Sequence, residues 1–252
     1  MGMNLDWNTK GVIALLVVSL FMALIGDKLV RRLVAGPGRA ERGIAAFKDP
    51  FELELATAIA ACDVARVKAL LPKATYQNLN DLRGNTTLFL FALEQGMEKG
   101  PATAERLELV RAMIAGGGFV GYPQGRALEA VSSQGRAMIE LVLDAGAYVN
   151  EKSPAGEHPW RQWIRRDAKG QEQVEMLRLF IARGADLNSR YVGPSTVAQA
   201  MAQDSWETAL VLLEAGAKWT EADLPAKARA ALERYEGREA PEALRKLVAK
   251  LG

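Results

Sequence analysis

The chain has 252 residues and a formal net charge of +2, with 49% hydrophobic and 25% charged residues. These values are typical of a globular protein of one or two domains, and the near-neutral charge argues against a nucleic-acid-binding protein. Cys62 and His158 are the only cysteine and histidine, which excludes an intramolecular disulfide and a Cys/His zinc site within one chain. Abundant Ala, Leu and Gly with few aromatic residues favour helices over strands.

An apolar segment lies close to the N-terminus. Residues 11–26 carry no charge, and the apolar pattern continues to residue 34 between Lys28, Arg31 and Arg32, whose long side chains can reach the lipid headgroups. A helix of about 24 residues is long enough to cross a bilayer. The sequence therefore predicts three N-terminal segments: a tail over 1–10, a transmembrane anchor over 11–34, and a Gly-, Pro- and Arg-rich linker over 35–50.

A cleaved signal peptide is the alternative interpretation of the same segment. Against cleavage, Lys10 is the only basic side chain before the apolar run, and the run is followed by "DKLVRR" instead of a small-x-small site. More Lys and Arg follow the span than precede it, which predicts a single-pass inner-membrane protein with its C-terminal part in the cytoplasm. The opposite orientation, with that part in the periplasm, stays open because a short N-terminal tail can also remain inside.

A short phrase recurs along the rest of the chain. "VLDAGAYVN" ends at Asn150, "FIARGADLN" at Asn188 and "LLEAGAKWT" at Thr220, and an earlier variant, "AMIAGGGFV", aligns Gly116 with Gly146. An apolar run with helical spacing precedes each phrase. Recurrence at intervals of about 30 to 40 residues is typical of a repeat architecture.

A second motif begins at a glycine ahead of most of these phrases, as in "GNTTLFLFALEQG" from Gly84 and "GPSTVAQAMAQD" from Gly193; Gly125 and Gly156 begin two more. Together the two motifs resemble ankyrin repeats, whose pattern is roughly G-x-T-P-L-H-x-A-x-x-x-G-x-x-x-x-V-x-x-L-L-x-x-G-A-D-h-N. The resemblance implies an all-α ankyrin-repeat solenoid of about five helix-pair repeats over 51–220. In the first unit, Cys62 stands where the family has glycine.

Stacking explains the repetition, because a single helix pair is too small to bury its own apolar face. We expect Leu177, Phe180 and Ile181 to face the core, and the glycine after each second helix to adopt the left-handed conformation. Asn150 and Asn188 are expected to bond the local backbone of the following turn.

Three regions depart from the regular pattern. Residues 96–105 and 164–173 each lengthen one repeat; such insertions either extend a binding face or are tolerated at little free-energy cost. Residues 221–252 predict a C-terminal helical cap, with helices over 225–235 and 241–251 and a polar outer face.

Candidate catalytic, cofactor-binding and metal-binding residues are not predicted, since the sequence has no nucleophile elbow, phosphate-binding loop or dinucleotide fingerprint. Trp160 and Trp163 occupy inward-facing repeat positions, whereas the arginines beside them are expected on the exposed side of a helix. Those arginines could form a solvated face, a protein contact or a nucleic-acid contact. The candidate partner-binding residues are Phe119, Tyr122, Arg161, Arg165, Arg166 and Tyr191.

The expected function is therefore a membrane-tethered protein-binding module without a cofactor, a nucleic-acid partner or a small-molecule substrate. An alternative follows from resemblance in architecture: small anchored ankyrin-repeat proteins of bacteria can be immunity proteins that neutralise a secreted toxin, such as a type VI lipase. An enzyme is the second alternative, and the absence of a catalytic motif disfavours it.

Overall fold

A computed structural model of the chain describes residues 43–95, 101–121, 126–153, 156–165, 170–189, 193–236 and 238–252, with only the backbone of Arg165. Within these ranges every regular element is helical, and the nearest approach to a strand is an isolated bridge between Arg83 and Thr86. The all-α prediction is confirmed.

The α-helices of the described ranges are α1 (Pro50–Ala60), α2 (Val64–Leu70), α3 (Tyr76–Asn80), α4 (Leu88–Glu94), α5 (Ala104–Ala115), α6 (Arg126–Val131), α7 (Arg136–Asp144), α8 (Gln162–Arg165), α9 (Gln171–Ala182), α10 (Thr196–Met201), α11 (Trp206–Glu214), α12 (Leu224–Glu233) and α13 (Glu242–Leu251). Two 3₁₀ helices accompany them: η1 (Leu71–Lys73) after α2 and η2 (Pro159–Arg161) before α8.

Most of these helices lie in contacting pairs: α1 with α2, α4 with α5, α6 with α7, α8 with α9, α10 with α11, and α12 with α13. The first helices of neighbouring pairs also pack together, as α1 does on α4 and α4 on α6, and as α8 does on α10. The second helices form a similar row, in which α2 contacts α5, α5 contacts α7, α9 contacts α11 and α11 contacts α13.

Apolar side chains fill the space between the two rows. Leu177 and Phe180 of α9 are buried as predicted, while Ile181 is half-buried against the same core. The core includes a residue that was predicted to lie in the linker over 35–50. Phe47 is 2% exposed and its ring centroid lies 5.6 Å from that of Phe91, so the last residues of this linker belong to the folded body.

Residues with short polar side chains cap the N-termini of several first helices. The Asp49 carboxylate accepts hydrogen bonds from the backbone N–H groups of Phe51 (2.9 Å) and Glu52 (3.1 Å) at the start of α1. Thr87 accepts from the N–H of Leu90 (3.0 Å) at the start of α4. Such caps satisfy N–H groups that have no partner inside the helix and fix its first residue.

The turn inside a pair contains a residue with positive φ in four pairs: Cys62 and Asp204 lie one residue before the N-cap of the second helix, and Gly135 and Gly170 are themselves that N-cap. Cys62 has a φ of 55°, in the left-handed region that favours glycine. A side chain in this conformation costs roughly 1–2 kcal/mol.

A buried ion pair joins α1 to the connection that leads into α4. Glu52 is 1% exposed and accepts from two nitrogens of Arg83, with the Nη2–Oε1 distance at 2.6 Å and the Nε–Oε2 distance at 2.9 Å. Asn78 donates a third hydrogen bond to Glu52, at 3.2 Å. The hydrogen bond to Glu52 raises the pKa of Arg83, because the carboxylate stabilises the protonated guanidinium.

The last two helices lie close to the predicted positions. Helix α12 (Leu224–Glu233) and helix α13 (Glu242–Leu251) differ from the predicted bounds by one or two residues at their ends. Leu244 and Leu247 of α13 are fully buried, whereas the charged residues of both helices are largely exposed. That these two helices cap a repeat array stays a prediction.

No helix in the described ranges is long and apolar enough to span a bilayer. The predicted anchor over 11–34 lies outside those ranges, so it stays a prediction.

Candidate functional site

The segments that follow the second helices share one backbone path. We call them fingertips: 117–121, 146–150, 184–188 and 216–220. Each begins at a glycine with positive φ, which ends the preceding helix: Gly117 (97°), Gly146 (100°), Gly184 (80°) and Gly216 (90°). The sequence alignment placed the first of these at Gly116, which is wrong by one residue, because Gly116 keeps a φ of −78° and only Gly117 turns left-handed.

Asparagine side chains join one fingertip to the next. The Asn150 carboxamide donates to the carbonyl of Gly184 (2.7 Å) and accepts from the N–H of Asp186 (2.7 Å). Asn188 bonds the following fingertip in the same way, at Gly216 (3.1 Å) and Lys218 (2.7 Å). The prediction that these amides bond their own local turn is wrong, because each of them bonds the neighbouring pair.

Asn80 forms an equivalent bridge that the sequence analysis missed. Its carboxamide donates to the carbonyl of Gly117 (2.9 Å) and accepts from the N–H of Phe119 (2.7 Å). The dipeptide Leu79-Asn80 has the same pattern as Leu187-Asn188, and that similarity was the available signal. A planar carboxamide suits the bridge because it offers a donor and an acceptor in one group.

Exposed apolar side chains concentrate on the connections between pairs. In the described ranges the exposed large hydrophobic residues are Leu53 (41%), Tyr76 (58%), Leu82 (42%), Phe119 (48%) and Tyr148 (64%). All of them except Leu53 lie between the second helix of one pair and the first helix of the next. Phe119 and Tyr148 hold the same place on successive fingertips, two residues after the left-handed glycine.

The predicted partner-binding residues have different outcomes. Phe119 is exposed, as expected, although its neighbour Val120 is 3% exposed and belongs to the core. Tyr122, Arg166 and Tyr191 lie outside the described residues, as does the side chain of Arg165. Within this set, the structure describes the side-chain exposure of Phe119 and of Arg161.

The expectation that Arg161 is exposed is wrong. Arg161 is 3% exposed; its guanidinium lies 6.0 Å from the centre of the Trp160 ring and donates to the carbonyl of Pro194 at 3.4 Å. Glu157 is close enough for an ion pair, with Oε1 4.0 Å from Nε of Arg161. The arginine therefore faces the next helix pair instead of solvent.

The aromatic residues around Arg161 form part of the core. Trp160 and Trp163 are 0% and 2% exposed, which confirms their predicted burial. His158 is also buried, its ring stacks on Trp160 with 6.2 Å between centroids, and its Nδ1 lies 3.5 Å from the carbonyl of Glu151. These contacts give His158 a structural role in packing.

Metal-ligating side chains do not cluster in the described part of the chain. No three His, Cys, Asp or Glu side chains there are placed to hold a metal ion. Cys62 is half-buried beside Arg106, where burial lowers the pKa of the arginine and the nearby thiol acts against that shift. Arg106 also donates a hydrogen bond to the carbonyl of Ala92, in the last turn of α4. A cation at the C-terminal end of a helix is stabilising.

Two adjoining cavities lie between α9, α11 and α13, with volumes of about 490 and 650 Å³. Both are lined by Val174, Glu207 and Glu242, and neither is lined by a fingertip residue. Lys246 and Glu242 form an exposed pair there at 2.7 Å, and their hydrogen bond lowers the pKa of Glu242 and raises that of Lys246. These charges are an ordinary helix-surface pair one turn apart.

No protein-family model matches the chain, and no curated protein sequence is significantly similar to it.

Proposed function

We propose that the chain is an ankyrin-repeat solenoid, tethered to a membrane by residues 11–34, that binds another protein through its fingertips. Three regularities support the repeat interpretation. First helices pack on first helices and second helices on second helices, left-handed residues recur at equivalent turns, and asparagine bridges recur between fingertips. A stack of small helix pairs needs such contacts, because each pair buries its apolar face only against its neighbours.

The concentration of exposed apolar side chains on the connections between pairs carries the functional proposal. Phe119 and Tyr148 stand on successive fingertips, and both side chains are about half exposed or more. Exposed aromatic residues that are grouped in this way mark surfaces for protein association, since they contribute large contact area when water is excluded. The membrane tether would restrict the search for the partner to the bilayer surface.

Affinity capture by the full chain in lipid nanodiscs tests this proposal. The double variant F119S/Y148S removes both exposed rings, and Leu53→Ser is the matched control because Leu53 is exposed on α1 away from the fingertips. We expect a partner from source-cell extracts that the wild type and the control retain and the double variant loses, as measured by quantitative mass spectrometry. Equal capture by all three proteins would contradict the proposal.

The number of captured proteins separates the two binding hypotheses. A single partner bound one-to-one, with the properties of a secreted toxin, supports an immunity protein. Several unrelated partners support a general membrane adaptor.

The orientation requires its own measurement. We expect external protease added to intact spheroplasts to leave the helical region undigested, since the basic residues after the anchor favour the cytoplasmic side. Digestion from outside would place this region in the periplasm. That placement would agree with an immunity protein acting on toxins that arrive from outside.

A further inference from the structure

The series of asparagine bridges is interrupted at one fingertip. Asn150 and Asn188 stand four residues after the left-handed glycines Gly146 and Gly184, and Gly121 stands at the same distance after Gly117. Gly121 has no side chain and cannot reach the next fingertip. The link between 117–121 and 146–150 therefore lacks the carboxamide that Asn80, Asn150 and Asn188 supply at the other links.

The two backbone groups that an asparagine would bind at this fingertip have no hydrogen-bond partner in the described ranges. At the other fingertips the asparagine binds the carbonyl of the glycine and the N–H two residues later, which here are the carbonyl of Gly146 and the N–H of Tyr148. Within the described ranges neither group makes a hydrogen bond. The two fingertips still lie side by side, because a Val120 methyl group is 4.0 Å from the place where a Gly146 side chain would begin.

Two exposed rings flank this open position. The ring of Phe119 folds against Gly121, with Cζ 2.7 Å from the place where a Gly121 side chain would begin. The side chain of Tyr148 extends from the residue that carries the open N–H and is 64% exposed. Hydrogen bonds are stronger where apolar groups exclude water, so a partner group held between these rings would bind more tightly than one on an open surface.

We propose that a partner protein inserts an Asn or Gln side chain at this position and completes the interrupted series. The proposal rests on the proposed protein-binding function and names the group that is recognised. The partner's carboxamide nitrogen donates to the carbonyl of Gly146, and its oxygen accepts from the N–H of Tyr148. A carboxylate cannot supply the donor, and an ammonium or guanidinium group cannot supply the acceptor, so neither satisfies both backbone groups.

The variant Gly121→Asn tests the proposal by supplying the carboxamide from within the chain. The backbone of Gly121 is outside the left-handed region, and the nearest obstacle is the exposed ring of Phe119, which is free to turn away. Gly121→Ala is the matched control, because it adds the same Cβ without the amide.

Hydrogen exchange in the full chain in nanodiscs provides the first measurement. In the wild type we expect the N–H of Tyr148 to exchange about tenfold or more faster than those of Asp186 and Lys218, since one hydrogen bond is worth roughly a factor of ten. In Gly121→Asn its exchange slows to match theirs, and in Gly121→Ala it stays fast. Equal protection of all three N–H groups in the wild type would overturn the proposal.

A displayed library of random 12-residue peptides, selected against the full-length wild type, provides the second measurement. We expect Asn or Gln to be enriched at one position, with affinity reduced about tenfold by Gly121→Asn and changed less than about threefold by Gly121→Ala. Selected peptides that bind Gly121→Asn as well as wild type, including peptides that bind through their backbone alone, would overturn the proposal.

The peptide selection also separates a failure of carboxamide recognition from a failure of protein binding by the fingertips. If binding is lost in F119S/Y148S but not in Gly121→Asn, the fingertips bind protein without carboxamide recognition, and only the inference fails. If neither variant changes binding, or no peptide is selected, both the inference and the fingertip proposal fail.

Discussion

The N-terminal region, α1 to α4, and the C-terminal region, α10 to α13, hold their helices together by different means. The first contains the buried Glu52–Arg83 pair, whose carboxylate is 1% exposed. The second combines apolar contacts, such as those of Leu244, with ion pairs at exposed positions, such as Arg245 with Glu239 at 3.7 Å. The contrast predicts that the loss of an ion pair lowers stability more in the first region than in the second.

The largest expected effect lies in the apolar C-terminal region. Leu244→Ala removes a fully buried side chain of α13 and should lower the free energy of unfolding by about 3 kcal/mol, through lost transfer energy and a residual cavity. Chemical denaturation of the full chain in nanodiscs measures the change. Leu53→Ala, at a 41% exposed position of α1, should have an effect below about 1 kcal/mol. Similar losses in the two variants would show that α13 does not depend on its apolar face.

A smaller loss is expected when the cation of the N-terminal pair is removed. Arg83→Met leaves Glu52 buried without its partner and should cost about 2 kcal/mol, less than for a fully buried pair because Arg83 is 31% exposed. Arg245→Met in the C-terminal region serves as control and should leave the denaturation midpoint unchanged. Equal effects of the two arginine substitutions would remove the distinction between the regions.

The Asn150 bridge lies between these regions, and its effect on stability should be about 1 kcal/mol. Asn150→Ala removes both hydrogen bonds to the next fingertip, so the N–H of Asp186 should exchange faster while that of Lys218, held by Asn188, does not change. Residue-resolved hydrogen exchange measures both groups in one experiment. Faster exchange at both sites would mean that the bridges act together.

The smallest effect is the contribution of Glu221, in the C-terminal region, to the pH dependence of stability. Burial raises the pKa of Glu221, but hydrogen bonds from the Ser195 hydroxyl (2.7 Å) and backbone N–H (2.7 Å) outweigh it, and the net pKa is lowered. A carboxyl group with a lowered folded pKa contributes stability above its unfolded pKa of about 4.3. This contribution is lost as the pH falls through the folded pKa.

Thermal unfolding between pH 3 and pH 7 should therefore show an acid-dependent decrease in the midpoint that Glu221→Gln makes smaller. Glu239→Gln, at an exposed position of the same region, is the control and should retain the decrease. If Glu221→Gln leaves the acid dependence intact, the Ser195 contacts do not contribute to it.

The parts of the fold that the sequence predicted depend on local chemistry. Helix positions follow from apolar spacing, and the turns follow from glycines such as Gly146 and Gly184, which adopt the left-handed conformation without a steric penalty. The burial of Trp160 and Trp163 was predicted from the inward positions that the resemblance to ankyrin repeats implies, and both side chains are buried. In each case the controlling residues lie within a few positions of the feature they control.

The candidate site was harder to predict, because exposure at a fingertip depends on what the neighbouring pair covers. Phe119 and Val120 are adjacent apolar residues, yet one is 48% exposed and the other 3%. Tyr148 was missed although it holds the same place as Phe119 in the repeated phrase. Nothing in the local sequence says which side of an extended segment faces the core.

The sequence by itself determined that this chain forms helices, where they turn, and which large side chains occupy their inner faces, because those properties depend on residues close together in the chain. Only the tertiary structure decided that Arg161 is buried under the next pair, that Asn80, Asn150 and Asn188 bond the following fingertip, and that Gly121 interrupts this series. These outcomes depend on groups about 30 to 40 residues apart that meet only when the helix pairs stack, and no local pattern encodes such a meeting.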